Sequence, residues 1–550
     1  MIQKLLNSQA KSISSASLIL ALSYMGSALL GLFRDRLLAG TFGAGSDLDV
    51  YYAAFTVPDF IALILIFGAI SAAVIPIFSS YLIESKEDAF KYASVFLNIF
   101  LGFLILVCVV LMIFTPYFIS FVAPGFSGEK KELAIALMRI MFLSPIILGA
   151  SNVISGILQV FHRFLTTALA PLMYNLGIIA GILFFYPAMG IKGLAWGVVL
   201  GGGLHLLIQV PAFIFSGFRY KLDFNFKHPG VSKTLGLMAP RSLGLGAGQL
   251  NTVAITAIAS TLASGSIAIF NLANNLSSIM VNAVAVSLST AVFPSMSMAF
   301  LQAEEERFLE KFSGAFRQII FLTVPISILI LILRAQIVRV VLGAGKFTWL
   351  DTRLTTACLG ILAFSLFAQG LILILSKTFY AAHNTKIPAI VSGATVVFNV
   401  ILSLFLVQLI KTSEGFSLFL QFALRLENVA NLGVVGLALA FASTLILESF
   451  LLLYLLYKKF PKLKSKDISD SLYKIIIASA VMAFFTYLTR QLLVQWEIIE
   501  LSTFWAVFFQ LALSGAVGVL TYAGATYFLK SPELKIIYNS FIKKFLYPAK

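Results

Sequence analysis

The sequence has few of the residues from which soluble proteins build their surfaces and enzymes their sites. Only 11% of its 550 residues are charged, and it contains four histidines and two cysteines. About a quarter of the residues of a soluble domain are charged, so this composition excludes a chain folded in water. Cys108 and Cys358 both lie in apolar runs, which indicates neither a disulfide framework nor a cysteine-rich metal site. No histidine pair has the spacing of a metal site on one helix, and no P-loop pattern occurs.

Acidic residues are scarcer than basic ones, at 23 against 39, so the formal net charge is +16. A basic excess indicates a nucleic-acid partner only where the charge is concentrated on a water-facing surface. Here single charges stand between apolar runs. We therefore expect no nucleic-acid partner.

Long apolar runs are what the sequence does have, since 60% of its residues are hydrophobic. A membrane-spanning helix needs about 20 mostly apolar residues. Runs of that length predict about fourteen transmembrane helices, near residues 12–40, 50–82, 90–118, 133–161, 166–187, 190–216, 233–262, 266–299, 308–342, 352–381, 386–410, 431–457, 471–494 and 503–529.

The basic residues also predict the topology, because cytoplasmic loops are enriched in Lys and Arg. With the N-terminus inside, 24 of them fall on the inner side, 11 on the outer side and four within or near the membrane, which accounts for all 39. We therefore expect a multi-pass protein of the plasma or inner membrane, with both termini cytoplasmic. The first apolar run lacks a cleavage site and is interpreted as a retained span.

An internal repeat appears at a shift of about 218 to 220 residues. Gly45 to Ser80 resembles Gly265 to Ser297, and Phe161 to Asn175 resembles Phe379 to Asn399. Six spans in each copy predict a parallel repeat that forms two lobes, with two further C-terminal helices. The predicted organisation is an N-terminal lobe at 1–218, a cytoplasmic linker at 219–232, a C-terminal lobe at 233–457, a basic linker at 458–470, two helices at 471–530 and a cytoplasmic tail at 531–550.

Charges within apolar runs are the first candidates for a binding cavity, because they usually face a bundle interior or a water-filled space. Arg34 and Asp35 end the first span, and Asp49 begins the second. Gly43 and Gly45 lie between them, where they permit a tight turn. We predict that the three charged residues line a cavity and that Arg36 and Asp47 are ordinary charges of the outer interface.

Further candidates lie in the second copy. Arg241 follows a proline early in span seven, where it either lines the cavity or snorkels to the interface. Span eight carries three amides, which either pair between helices or line the same cavity. Prolines inside spans permit bends that could serve in gating. The amides are Asn271, Asn274 and Asn275, and the prolines of the repeated segments are Pro58, Pro76 and Pro294.

Several motifs resemble the MurJ (MviN) family of lipid II flippases. The first is the stretch from Gly31 to Asp35. It is followed by Phe42 to Gly45 and by Asp49. The others, in order along spans two to eleven, are Ala54-Phe55 with Pro58 and Pro76, Ala123-Pro124-Gly125-Phe126, Arg163-Phe164 with Ala170-Pro171 and Asn175, Gly202-Gly203 with Gln209 and Pro211, Leu262 to Ser266, Pro294-Ser295, Gly345-Lys346-Phe347-Thr348 with Asp351, and Phe379-Tyr380 with Lys386 and Pro388.

The resemblance implies two six-helix lobes plus two helices, as in the multidrug/oligosaccharidyl-lipid/polysaccharide exporter superfamily. It implies a transporter, not an enzyme, that moves lipid II from the cytoplasmic to the outer leaflet by alternating access in cell-wall biosynthesis. Arg34, Asp35 and Asp49 match charged positions of the family. Other family cations are replaced here by Ala28, by Ala62 or Leu63, and by Asn275, and Asn384 replaces a usual acid. We hypothesise that Arg241 partly replaces a lost cation. Gating or structural roles are assigned to Gly43, Gly45, Pro58, Pro76, Pro294, Lys346, Asn384 and Lys386.

Other functions stay open on the sequence alone. A flippase for another polyprenyl-pyrophosphate-linked glycan or a multidrug exporter would share the fold, and a membrane-embedded enzyme or a scaffold is the alternative from a different class. No cofactor is expected, while coupling to a monovalent cation or to the membrane potential is left open. Lipid II and membrane lipids are the expected partners of a monomer, with cell-wall synthesis proteins as further candidates.

Overall fold

The computed structural model describes residues 13–67, 70–429, 431–463, 465–495 and 503–537. Within these residues the regular structure is helical throughout and contains no strand. This confirms the all-α membrane fold that the apolar runs predict. The contacts between residues divide the chain into two compact units. Unit 1 extends to Ala268 and includes the loop Ala344–Phe347, and unit 2 comprises the remainder from Ile269 on. The predicted organisation into lobes and linkers stays a prediction.

Unit 1 begins with the helix Ile13–Phe42 and ends within the helix Ser266–Val281. Most of the predicted spans in this unit are divided into two or more helical segments, and π-helical turns interrupt two of them. The order is α1 (Ile13–Phe42), α2 (Ser46–Ile61), π1 (Ala62–Phe67), α3 (Ile70–Glu84), α4 (Lys86–Ile113), α5 (Thr115–Val122), α6 (Gly128–Met141), α7 (Leu143–Val160), α8 (Phe164–Ala180), π2 (Gly181–Phe185), α9 (Tyr186–Met189), α10 (Lys192–Leu207), α11 (Val210–Phe215), α12 (Pro229–Ser260) and the start of α13 (Ser266–Val281).

Unit 2 takes up the chain at Ile269 within α13. Its longest helix, Glu305–Val341, has 37 residues. The order is π3 (Asn282–Val286), α14 (Ser287–Leu301), α15 (Glu305–Val341), α16 (Trp349–Ala363), α17 (Leu366–Ala381), α18 (Lys386–Thr412), α19 (Glu414–Leu424), α20 (Gly433–Lys459), α21 (Ser465–Gln495), α22 (Phe504–Phe528) and α23 (Pro532–Ile537).

Eleven of the described helices are long and apolar enough to cross a membrane, or twelve if the bent pair α16 and α17 forms one span. The two helices of that pair meet at an angle of 44°. The eleven candidate spans carry many exposed large apolar side chains, among them Leu106, Ile113 and Phe528. Such continuous apolar exposure is typical of helices that face lipid. The chain is therefore a multi-pass membrane protein, and the count of fourteen spans stays a prediction.

The backbone shows the repeat that the sequence indicates. A π-helical turn follows α2 at Ala62 and follows α13 at Asn282, which is the spacing of the sequence repeat. Two residues after the end of both α7 and α17, a histidine lies in the left-handed region, His162 with φ 57° and His383 with φ 53°. After each histidine the next backbone N–H donates to a carbonyl five residues back, which forms a Schellman motif in both copies.

Small residues bring α8 and α10 into close contact in unit 1. A Cβ atom added to Gly177 would lie 2.2 Å from Gly201 Cα, and one added to Gly181 would lie 2.5 Å from Gly197 Cα. Glycines four residues apart let two membrane helices approach at the backbone. The pair thereby holds Asn175 on α8 and His205 on α10 in the interior of unit 1.

The start of α12 is held by a side-chain cap. His228 Nδ1 accepts a hydrogen bond from Gly230 N at 3.2 Å, and further along the helix Thr234 Oγ1 lies 2.6 Å from the hydroxyl of Tyr92. Burial, with a smaller contribution from Lys91, lowers the pKa of His228. The neutral imidazole is the form that can accept the capping bond.

Candidate functional site

A cavity of about 340 Å³ lies inside unit 1. This volume is within the range of small-ligand sites, about 300 to 1,000 Å³. The walls are mostly apolar, and the polar groups come from five helices. The lining residues are Ser27, Arg34, Phe55, Pro58, Asp59, Ala62, Ser144, Pro145, Leu148, Pro171, Tyr174, Asn175, Val198 and His205.

Among the residues that the structure describes, Arg34 is the only arginine or lysine that lines this cavity. Its Nε and Nη2 atoms donate to Asp35 Oδ1 at 3.1 and 2.8 Å, and Nη1 donates to Asn175 Oδ1 at 3.1 Å. Asn175 Nδ2 in turn donates to Ser27 Oγ at 3.2 Å. The carboxylate and the amide therefore fix the plane of the guanidinium group. Since a guanidinium has five N–H groups, these three bonds with described residues leave two for a ligand.

Asp59 is a second ionisable group on the cavity wall. It follows Pro58 on α2 and accepts a hydrogen bond from Gln249 Nε2 at 3.2 Å. When it is ionised, its carboxylate limits the net positive charge of the cavity. An anionic ligand would therefore bind at the Arg34 side, where the guanidinium N–H groups are available.

His205 lines the cavity and belongs to a buried polar network. Its Nδ1 lies 2.7 Å from Ser151 Oγ, and Gln209 Nε2 donates to the same hydroxyl at 2.8 Å. Ser155 Oγ donates to Gln209 Oε1 at 2.6 Å. The four side chains join α7 to the end of α10 and satisfy one another in an otherwise apolar region.

Asp49 lies outside the cavity, at the N-terminus of α13. Its Oδ2 accepts from Gly265 N at 2.7 Å and its Oδ1 accepts from Ala268 N at 3.0 Å. Lys130 Nζ lies 3.4 Å from Oδ2. A carboxylate that accepts two backbone N–H groups at a helix start is a capping group. Asp49 is thus buried, with 2% exposure, and it joins α2 to the first turn of α13.

The glycines near this junction have different conformations. Gly43 has a φ of 65°, which supports the predicted turn, whereas Gly45 has a φ of −115°, which any residue adopts. Gly265 has a φ of 89°, and a Cβ atom added to it would lie 1.9 Å from Ala44 O. The loop around Lys346 also packs in unit 1, because Lys346 N donates to Gly40 O at 2.7 Å.

The remaining predicted residues lie apart from the cavity or outside the described side chains. Asn271, Asn274 and Asn275 are half-buried in the part of α13 that belongs to unit 2. Asn384 Oδ1 accepts from Ile387 N at 3.1 Å and so supports the first turn of α18, in which Lys386 is the first residue. Pro58 lines the cavity, while Pro76 and Pro294 lie within α3 and α14. Arg241 lies in α12, and its side chain is outside the described residues.

Sequence reasoning missed Asp59, Tyr174 and His205 as cavity residues. Asp59 has a signal that could have identified it, since it is an acid inside an apolar run. Asn175 was found as a motif residue but not as the partner of Arg34, from which it is 141 residues distant along the chain. In the described residues no group of three or more His, Cys, Asp or Glu side chains could hold a metal ion.

Comparison with known sequences identifies a family. The family profile described as "Lipid II flippase MurJ" matches residues 38–508. The "Probable lipid II flippase MurJ" of Buchnera aphidicola subsp. Schizaphis graminum is 31% identical over 481 residues, which cover 86% of this chain and 88% of the relative. The "Lipid II flippase MurJ" of Burkholderia cenocepacia is 28% identical over 371 residues, which cover 66% of this chain and 72% of the relative.

Solved structures agree with this comparison. A lipid II flippase MurJ in an inward closed conformation superposes with a TM-score of 0.73 at 26% identity, covering 96% of this chain and all of that one. An inward-facing multidrug resistance transporter of the MATE family shares the fold, with a TM-score of 0.63 at 16% identity over 81% of this chain. With a profile match that spans most of its length and relatives and structures that agree, the chain belongs to the lipid II flippase MurJ family.

Proposed function

We propose that this protein moves lipid II, the polyprenyl-pyrophosphate-linked precursor of peptidoglycan, from the cytoplasmic to the outer leaflet by alternating access. Family membership supports the substrate class, because the relatives are named for it. The substrate carries a charged pyrophosphate and a long apolar tail. A transporter for it needs a polar cavity at membrane depth while the tail stays in lipid.

The observation that carries this proposal is the position of Arg34 on the cavity wall. Arginine is suited to a phosphate group, because its planar fork makes paired charge-assisted hydrogen bonds. Asp35 and Asn175 hold the guanidinium in place before a ligand arrives. The two guanidinium N–H groups that do not bond to Asp35 or Asn175 would donate to the pyrophosphate oxygens. Pre-organisation of this kind lowers the entropy cost of binding.

Rescue of a flippase-depleted bacterium tests the proposal. We expect the wild-type chain to restore growth and to restore the accessibility of lipid II on the outer face of the membrane. Arg34→Ala should abolish both. Arg307→Ala is the matched control, because Arg307 is an exposed arginine whose partner is Glu304. Failure of the wild-type chain to expose lipid II, despite a normal amount in the membrane, would contradict the proposal, and transport of another polyprenyl-linked glycan instead would replace it.

The role of Arg241 is part of the same proposal. We propose that it partly replaces the cavity cations that other family members carry at positions occupied here by Ala28 and Asn275. Arg241→Ala should then reduce lipid II transport, though less than Arg34→Ala does. Normal transport by this variant would leave Arg241 as an anchor at the membrane interface.

We also propose that the membrane potential assists outward movement. Moving one negative charge outward across a membrane whose inside is negative is favourable by about 2.3 kcal/mol per 100 mV. Collapse of the potential in proteoliposomes should slow transport. A transport rate that does not change with the imposed voltage would contradict this proposal. It would show that the transport step moves no net charge across the membrane.

For its location we propose the cytoplasmic membrane, with a monomer whose two termini face the cytoplasm. The distribution of Lys and Arg supports this orientation. Single cysteines placed near Lys462 and near Arg353 should be labelled from opposite sides by an impermeant reagent. Labelling of both from the same side would contradict the topology. Co-purification would show whether cell-wall synthesis proteins associate with the monomer.

A further inference from the structure

A buried acid lies in unit 2, and no role has been assigned to it so far. Glu448 is near the middle of α20, a 27-residue apolar helix that is one of the candidate membrane spans. Its side chain is buried, at 9% exposure. An ionisable residue within a membrane span is costly, and it usually marks a functional site.

The partners of Glu448 are hydroxyl groups of α18. Ser392 Oγ donates to Glu448 Oε1 at 2.6 Å, and Thr395 Oγ1 lies 3.2 Å from Oε2. The same Thr395 hydroxyl lies 3.0 Å from Ser392 O. A hydroxyl has one hydrogen to donate. If Thr395 donates to the carbonyl, as this helical geometry favours, the bond to Glu448 needs a hydrogen on the carboxyl group.

The charges around Glu448 do not favour its ionised form. Among the ion pairs of the described residues, none includes Glu448. On α17, Tyr380 is close enough to interact with it electrostatically, and Lys377 Nζ donates to Thr290 Oγ1 at 2.6 Å. The other titratable or charged groups on α20 and the helices packed against it are Asp351, Arg353 and Cys358 on α16, Lys386 and Lys411 at the ends of α18, and Tyr454, Tyr457, Lys458 and Lys459 at the end of α20.

These other groups have partners or positions of their own. Asp351 caps α16 by a bond with Thr348 N, Arg353 pairs with Glu427, and Cys358 Sγ lies 3.9 Å from Val434 O. Lys386 begins α18, and Lys411 lies in its last turn. Burial without a cationic partner disfavours a carboxylate relative to a carboxylic acid. The protonated acid also satisfies both hydroxyl contacts.

The repeat adds an independent observation. Gly193-Leu194-Ala195 near the start of α10 matches Gly436-Leu437-Ala438 near the start of α20. In this alignment His205 and Glu448 occupy equivalent positions, because His205 follows Gly193 at the same spacing as Glu448 follows Gly436. Each is buried, and each is bonded to a serine of another helix. Both copies therefore place a titratable side chain at one equivalent point of their last helix.

We propose that Glu448, with Ser392 and Thr395, is a proton-binding site within the membrane, and that its protonation is linked to the transport cycle. In this conformation the carboxyl group holds the proton. In a conformation that admits water to α18 and α20, the proton passes to water and leaves a hydrated carboxylate. The linkage to transport rests on the proposed function, whereas proton binding does not.

Two measurements test the proposal separately. Infrared difference spectroscopy on the purified protein should show the carbonyl stretch of a protonated carboxylic acid, absent in Glu448→Gln and present in the control Glu427→Gln. In proteoliposomes, lipid II transport by the wild type should respond to an imposed pH difference, by up to about tenfold per pH unit for one linked proton. Glu448→Gln should transport without this response, since glutamine resembles the neutral acid, and Ser392→Ala should weaken the response.

The outcomes separate the site from the function. Identical infrared spectra for the wild type and Glu448→Gln would overturn proton binding, whatever the transport result. A Na⁺-dependent rise in the unfolding temperature that Glu448→Gln loses would also overturn it, because the site would then hold a metal cation. An unchanged pH response in Glu448→Gln would overturn the linkage. A wild type that binds the proton but moves no lipid II would contradict only the proposed function.

Discussion

The last helix of each sequence copy carries a buried titratable residue at the same position, but the two surroundings differ. His205 lines the same cavity as Arg34 and Asp59, and its network includes the amide of Gln209. Glu448 lies among hydroxyl groups, without a described ion-pair partner. The backbones of the two copies are nevertheless alike, since both have a π-helical turn and a Schellman motif at matching positions.

This difference shows that the repeated backbone does not determine the chemistry of each copy. The helices depend on apolar runs, caps and glycines, which many side chains at the other positions permit. A few buried polar residues then decide what each copy can bind. In unit 1 these residues suit an anion, and in unit 2 they suit a proton. The following four predictions test the comparison.

The largest expected effect separates the two chemistries. Arg34→Ala should lower lipid II transport by about 100-fold or more, since each hydrogen bond to a charged group contributes about 1.5 to 3 kcal/mol. Arg34→Lys should retain part of the activity, because it keeps the charge and loses the paired geometry. Glu448→Gln should stay within several-fold of the wild type. The rate of lipid II exposure in proteoliposomes measures all three, and equal losses in Arg34→Ala and Glu448→Gln would remove the distinction between the units.

The second prediction concerns the glycine before the second helix of each copy. Gly265→Ala should destabilise the protein by more than about 2 kcal/mol, because its φ is positive and the new Cβ would overlap Ala44 O. Gly45→Ala should have little effect, since a Cβ there would lie 3.5 Å from Phe42 O. Thermal unfolding in detergent measures both. Similar unfolding temperatures for the two variants would show that the close approach at Gly265 is relaxed at no cost.

A smaller effect is expected at the acids of α2. Asp49→Asn keeps one side-chain oxygen as an acceptor and replaces the other with an NH₂ group, which cannot accept. The substitution should therefore lower the free energy of unfolding by about 1 to 2 kcal/mol. Asp47→Asn is the matched control, because Asp47 is exposed and should change stability by less than about 0.5 kcal/mol. The unfolding temperature in detergent again provides the measurement. Equal shifts for the two variants would argue against the capping role of Asp49.

The smallest effect should be shared by both copies. His162→Gly and His383→Gly each remove a left-handed non-glycine residue from a Schellman motif, which relieves about 1 kcal/mol of strain. The greater freedom of glycine in the unfolded chain offsets part of this gain. Both variants should therefore raise the unfolding temperature slightly and by similar amounts. A gain in only one copy would show that the two loops, despite equivalent backbones, are held by different contacts.

Much of the fold could be predicted from the sequence, because its signals are local. A run of about 20 apolar residues specifies a helix in lipid wherever the rest of the chain lies. The repeat is likewise a pattern along the chain, and the segments that it pairs, Phe161 to Asn175 and Phe379 to Asn399, contain the equivalent turns at His162 and His383. The Arg34–Asp35 pair is adjacent in sequence, so its contribution to a cavity could be anticipated from two neighbouring charges in an apolar run.

The partners of these residues could not be predicted in the same way. Asp49 was expected in the cavity and instead caps α13, over 200 residues later in the chain. Its burial follows from the rotation of α2 about its own axis, which the charge pattern does not specify. Asp59, on the same helix, faces the cavity instead. The two acids have different roles because they lie on different faces of one helix.

The sequence by itself determined that this chain is a helical membrane protein with a repeat, that it carries the motifs of its family, and that Arg34 and Asp35 lie together within a span. Only the tertiary structure decided that Asn175 orients Arg34, that Asp49 caps a helix, and that Ser392 and Thr395 meet Glu448. The physical reason is the range of the interactions. Apolar burial and backbone hydrogen bonds act within one helix, whereas a buried polar side chain is satisfied by whatever group the packing of distant helices brings to it.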